Sequence, residues 1–183
     1  MPIDSPQDII NFWYAEDMRA HWFSANEQLD DRIKARYETI WEVAVRGDFD
    51  HWRDTPQGCL ALVIILDQFP LNMFRGSAKS FCSERQAIII AKHAITQGFK
   101  RQIEQAQVAF LYLPLMHSED LADQDLCVEL FTAAGLDNNL RFARHHREIV
   151  RRFGRFPHRN AILGRESTLE EISYLTSKRA FKG

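Results

Sequence analysis

The sequence predicts an all-α fold, and three observations carry that expectation. No stretch alternates apolar and polar residues between turn dipeptides, so nothing reads as a strand. Apolar residues recur instead at intervals of three and four. Glycine and proline are scarce, 8 and 6 among 183 residues, and they fall where helices would start or stop.

The elements follow in order. Asp4-Ser5-Pro6 offers a cap and a proline at the first helical position, with Ile9, Ile10, Trp13 and Tyr14 behind it. A second helix is expected from Asn26 to Arg46, striped by Leu29, Ile33, Tyr37, Ile40, Trp41 and Ala44 and stopped by Gly47. Thr55-Pro56 opens a third helix, apolar nearly all round as a central buried helix would be, and expected to close before Pro70. Residues 71–82 read as irregular. Ser83 is the expected cap of a helix ending at Gly98, and a helix from Lys100 to Tyr112 is expected to end at Pro114. Ser118 and Asp137 are the expected caps of helices ending at Gly135 and Gly154. Residues 155–166 read as a loop, and Ser167-Thr168-Leu169-Glu170 as a capping box. The Ser83 and Ser118 starts lie 35 residues apart, close to the roughly 34 residues of tetratricopeptide repeats. The expected architecture is therefore a single domain over residues 1–183 of stacked antiparallel helical hairpins, tetratricopeptide-like. An up-and-down bundle would use the same local signals.

Composition narrows the class. Lys+Arg total 23 against Asp+Glu 25, a net charge of −2, which disfavours a nucleic-acid binder. Three widely spaced cysteines, Cys59, Cys82 and Cys127, argue against a disulfide framework or a zinc knuckle. The start lacks a basic segment followed by an apolar one. The longest apolar run, Cys59 to Leu66, is eight residues, too short to span a membrane. A soluble, cytoplasmic protein with no membrane contact is expected, with no cofactor and no metal. Glycine-rich nucleotide loops, nucleophile elbows and the zinc-protease helix motif are missing from the chain.

Three polar spots stand out. Asp67-Gln68 ends the most apolar helix, where a carboxylate faces the negative end of the dipole and needs a partner if buried. Arg75 is the nearest basic residue, and the arginines near 152–165 are alternatives. His117-Ser118-Glu119 is the second spot: Ser118 suits a cap and Glu119 a first turn, while His117 is unexplained; His-x-Glu alone is weak metal-ligand spacing. The third runs from Arg141 to Arg165, where eight arginines face Glu148 alone for a charge of +7. Residues 117–137 carry six acids and no lysine or arginine. One reading is an acidic helix packed beside a basic one. Another aims Arg152, Arg155, His158 and Arg159 at an anion or acidic peptide, since arginine forks suit carboxylate and phosphate. A third stacks RNA on Phe156. His146 falls on an apolar stripe with Phe142, Ile149 and Phe153, and His145 lies about 100° round the helix, more exposed. Cys59 reads as core.

Leu66-Asp67-Gln68-Phe69-Pro70, Tyr112-Leu113-Pro114-Leu115-Met116-His117-Ser118-Glu119, Arg152-Phe153-Gly154-Arg155-Phe156-Pro157-His158-Arg159-Asn160 and Leu163-Gly164-Arg165-Glu166-Ser167-Thr168 occur in this order. Together they closely resemble a bacterial family known as domain-of-unknown-function family 924, over essentially the whole chain. That resemblance implies a tetratricopeptide-like helical fold and carries no activity, cofactor or catalytic residue with it. The family pattern Asp-Gln-Phe-Pro-Arg-Asn is broken here by Leu71 in the arginine position, which leaves any site there one charge weaker.

Two functions are expected from different classes. The first is a binding or adaptor module for an acidic or carboxylate-bearing protein or peptide, edged by the basic loop. The alternative is a small-molecule binder, for a small anionic ligand, or an enzyme. Its polar pocket would gather Asp67, Gln68, Arg75, His117, Glu119, Arg152, Arg155, His158 and Arg159, in which case the scattered motifs would converge in space.

Overall fold

A computed structural model describes residues 5–22 and 24–181. Among them there are helices and no strands: α1 (Pro6–Trp13), α2 (Glu16–Arg19), α3 (Glu27–Val45), α4 (Pro56–Val63), α5 (Phe69–Met73), α6 (Glu84–Thr96), α7 (Gln105–His117), α8 (Leu121–Ala134), α9 (Asp137–Phe153) and α10 (Leu169–Leu175). The all-α expectation is met. The described residues gather into two compact units. One takes the residues up to Arg75 with Lys79–Pro114, the other Gly76–Ala78 with Leu115 onward. No helix of the described residues is long and apolar enough to cross a membrane.

In the first unit the local signals act where they were read. Ser5 and Asp8 form a capping box ahead of Pro6, while the expected contribution of Asp4 lies outside the described residues. Asn26 and Thr55 cap α3 and α4 through their side chains. The run Cys59 to Leu66 is wholly buried, so α4 is the axis of this unit, packed on α1, α6 and a 3-10 turn at Asp50–Asp54. Gly58 permits that last contact: a Cβ there would meet the Trp52 carbonyl oxygen at 1.9 Å. The Cys59 thiol donates to the Arg53 carbonyl, and burial pushes its pKa up to about 11, so it is inert core.

Helix does not close before Pro70, contrary to expectation. A π-helical segment, Ile64–Gln68, carries the chain from α4 into α5, with Pro70 inside the helical run. Proline supplies no N–H to the carbonyl four residues back, here that of Leu66. Ser83 fills the gap: its Oγ donates to Leu66 O at 2.6 Å and accepts the Trp41 indole N–H at 3.0 Å. That employment explains why Ser83, expected as a side-chain cap, precedes α6 without making a capping bond. Residues 71–82, read as irregular, accordingly include the end of α5 and a 3-10 turn at Ala78–Phe81.

The helix expected over Lys100–Tyr112 begins later and runs past Pro114 to His117. Leu111, Tyr112, Leu113 and Leu115 are all at most 2% exposed, and their burial outweighs a proline cost of about 3 kcal/mol. α6, expected to pair with the helix that follows it, packs on α4 and the π-helical segment.

The second unit is built on the hairpin α8–α9, turned at Gly135 in the left-handed region (φ +66°). The expected pairing of an acidic with a basic helix is seen here, with Arg147 at 3.5 Å from Asp125. Asp120, not Ser118, caps α8, because the Ser118 hydroxyl donates to the buried Asp123 carboxylate. Leu136, not Asp137, precedes α9. Gln124, wholly buried, donates to the carbonyls of Leu115, Met116 and Ser118 and so satisfies groups orphaned at the end of α7. The buried stripe of α9 runs through Leu140, Ala143, His146, Ile149 and Val150; His146 and Ile149 lie on it as expected, whereas Phe142, expected there too, is 48% exposed.

Ser83→Ala is expected to cost roughly 2–3 kcal/mol, since it strips a partner from two buried groups. Urea denaturation checks this, and a loss under about 0.5 kcal/mol would remove Ser83 as the group that makes Pro70 tolerable.

Candidate functional site

The polar spots read from the sequence divide between the units. Asp67, Gln68 and Arg75 belong to the first; His117, Glu119, Arg152, Arg155, His158 and Arg159 belong to the second. Asp67 is 3% exposed in the π-helical segment and accepts the Gln68 side-chain amide at 2.5 Å. Arg75 is engaged elsewhere, on both oxygens of Asp30 (2.7 and 3.1 Å) and on Asn72 Oδ1 (3.2 Å).

In the second unit the arginine-rich segment meets acids of its own unit. Arg165 donates to both oxygens of Glu119, at 2.6 and 2.9 Å, and the Phe156 amide donates to the same carboxylate at 2.7 Å. Burial alone would raise the Glu119 pKa. The guanidinium and the amide outweigh it and hold the carboxyl below the usual range. Arg155 grips Glu171 with two bonds of 2.7 and 2.8 Å and reaches the Glu166 carbonyl. With the Thr168 amide added, Glu171 is pulled down to about 2. Arg159 donates to the His117 carbonyl at 2.9 Å and lies 4.7 Å over the Phe156 ring. Arg152 pairs with Glu170 at 2.7 Å, both half-exposed. Chemically, these contacts pin a loop with little regular structure to the ends of α7 and α10.

The capping box at α10 is Thr168–Glu171, one residue beyond the expected Ser167–Glu170, because Arg155 fixes Glu171 in that position. Among the described residues no group of three or more His, Cys, Asp or Glu could hold a metal ion.

The histidines form an apolar socket. The His146 Nδ1 lies 2.9 Å from the Phe142 carbonyl, which can only accept, so Nδ1 carries the proton. Burial pushes His146 down to about 3 and His158 to about 4, leaving both neutral near pH 7. Their rings surround Phe181, at 4.4 and 5.0 Å between centroids, with Phe156 behind.

A cleft of about 370 Å³ lies beside that socket. Ile149, Phe153 and Tyr174 form its apolar floor; His145, Arg152 and Arg179 stand at its rim. Glu148 also reaches the rim, held by Arg151 at 3.1 Å. Further along the exposed face of α9, Arg141 and Arg144 make no ion pair among the described residues. Arg165, Tyr174, Arg179 and Phe181 were not among the site residues read from the sequence. Arg165 stood in a quoted motif and could have been matched to Glu119. Nothing in Ser-Lys-Arg-Ala-Phe marks Phe181 for burial.

Glu119→Gln is expected to cost roughly 2–3 kcal/mol, because Arg165 then faces an uncharged amide in a quarter-exposed setting. Chemical denaturation checks it. A change under about 0.5 kcal/mol would mean that Glu119 is not a latch.

Comparison with known proteins places the chain in a family. Residues 9–179 match the model described as "Bacterial protein of unknown function (DUF924)". A solved structure, that of the protein of unknown function ATU0120 from Agrobacterium tumefaciens, is similar at 38% identity with a TM-score of 0.88, over 93% of this chain and 96% of that one. No curated protein matches. The chain thus belongs to the DUF924 family of bacterial proteins.

Proposed function

We propose that this protein is a binding module for an acidic, carboxylate-bearing peptide or protein segment. The partner lies along the exposed face of α9 and in the cleft beside α10. The observation that carries the reading is charge left uncompensated beside an apolar floor. Arg155 and Arg165 are satisfied within the fold, whereas Arg141, Arg144 and Arg179 are exposed and form no ion pair among the described residues. Arg179 lines a cleft floored by Ile149, Phe153 and Tyr174, and Arg141 and Arg144 precede His145, another cleft residue, on the same helix. Exposed arginines accelerate encounter with an acidic partner, and the desolvated floor supplies affinity. The Arg152–Glu170 pair, exposed by 53% and 60%, is weak enough for a competing carboxylate to replace. The helical-repeat reading fits such a role: α8–α9 acts as one tetratricopeptide-like hairpin offering a face to the partner.

A fluorescence-anisotropy titration with a labelled Asp/Glu-rich peptide tests this. Binding is expected to weaken as salt rises, and Arg141→Glu/Arg144→Glu to weaken it about tenfold or more. Equal binding by the variant would overturn the proposed face. Failure of every acidic peptide, with a thermal shift on a small dicarboxylate or phosphorylated compound, would favour a small-anion binder instead.

A further inference from the structure

Phe181 occupies a socket whose walls are better held than Phe181 is. Phe156 is wholly buried and His146 is 4% exposed. His146 is fixed by its bond to Phe142 O, and Phe156 by the bond from its amide to Glu119. Phe181 itself is partly exposed. Its amide donates to Tyr174 Oη at 2.9 Å, and the segment before it is turned by a bond from Ala180 N to Ser177 O at 3.2 Å. Lys178 and Arg179, in the same segment, are exposed.

The socket and the cleft share residues. His145, at the cleft rim, lies 6.4 Å from the Phe181 ring, and Tyr174, in the cleft floor, holds the Phe181 amide. A segment seated in the cleft therefore has an aromatic subsite at its edge, filled from within the chain. The socket's chemistry suits a ring: three imidazoles meet Phe181 largely edge-on, the arrangement aromatic pairs prefer, and Phe156 packs behind two of them.

We infer that the His146–His158–Phe156 socket is an anchor subsite for an aromatic residue of the acidic partner, and that Phe181 is its internal competitor. The inference rests on the proposed binding face and adds the partner's second requirement, a phenylalanine-like ring beside its acids. Ala180 and Phe181 act as a strap whose ring must leave before the partner's ring enters, with Arg179 staying at the cleft rim. The strap lowers apparent affinity by the fraction of time the socket is filled.

The test uses the full chain and Phe181→Ala, with two acidic peptides that differ only by a single Phe→Ala change. Phe181→Ala is expected to bind the Phe peptide about five- to tenfold more tightly than the unmodified protein does, with the Ala peptide unchanged. Tyr174→Phe, which removes only the tether to the Phe181 amide, is expected to act in the same direction. It serves where Phe181→Ala does not fold. Acidic peptides that bind both proteins equally, with or without Phe, would overturn the strap and leave the binding face standing. A peptide-independent readout separates the two readings further. N-acetylphenylalaninamide is expected to shift the His146 and His158 ring signals in Phe181→Ala but not in the unmodified protein. No shift in Phe181→Ala would overturn the subsite by itself.

Discussion

The second unit depends on how one carboxylate is satisfied. Glu119 sits between the end of α7 and the start of α8, a quarter exposed, and accepts three donors from the loop after α9. A loop with so little regular structure must find partners for its own backbone. Arginine side chains supply them here: Arg155 reaches the Glu166 carbonyl, Arg159 the His117 carbonyl and Arg165 the Phe156 carbonyl. Each of these guanidiniums thus joins two stretches distant in sequence. The same contacts draw Phe156 into the core, and Phe156 is the back wall of the histidine socket.

That economy of charge underlies the proposed binding face. A guanidinium already forked onto a carboxylate has little left to offer an anion. The arginine-rich loop, the most basic stretch in the sequence, is therefore a structural clasp over most of its length. What stays available is the outer face of α9 and the exposed Arg179 beside the cleft. The first unit solves a parallel problem without charge. Pro70 would orphan the Leu66 carbonyl in the middle of the most buried helix, and one serine hydroxyl, 17 residues on, answers it.

Local signals in the sequence were legible where local physics decides. Ser5-Pro6, Asn26 and Thr55-Pro56 mark helix starts because a cap and its helix are within three residues of each other. Cys59 to Leu66 reads as a central helix because nothing polar interrupts it. The errors have a common cause. Pro70 and Pro114 looked like ends, but long-range partners and burial outweigh a local cost. Ser83 and Ser118 looked like caps, but each hydroxyl is claimed by a group elsewhere in its unit. The polar spots show the same dependence on distant partners. Arg155, His158 and Arg159 were legible as unusual, yet the acids that engage the loop's arginines, Glu119 and Glu171, lie 16 to 46 residues away in sequence. Phe181 left no trace, since a single ring in a polar segment has no periodicity.

The central claim is that the loop arginines hold the fold while α9 and the cleft hold the partner. An amide chemical-shift map of the protein, titrated with an acidic phenylalanine-containing peptide, measures both at once. The account predicts perturbed signals along residues 141–152 and 173–181, with Arg155, Arg159 and Arg165 little changed. Shifts concentrated on residues 155–165, with α9 silent, would contradict it.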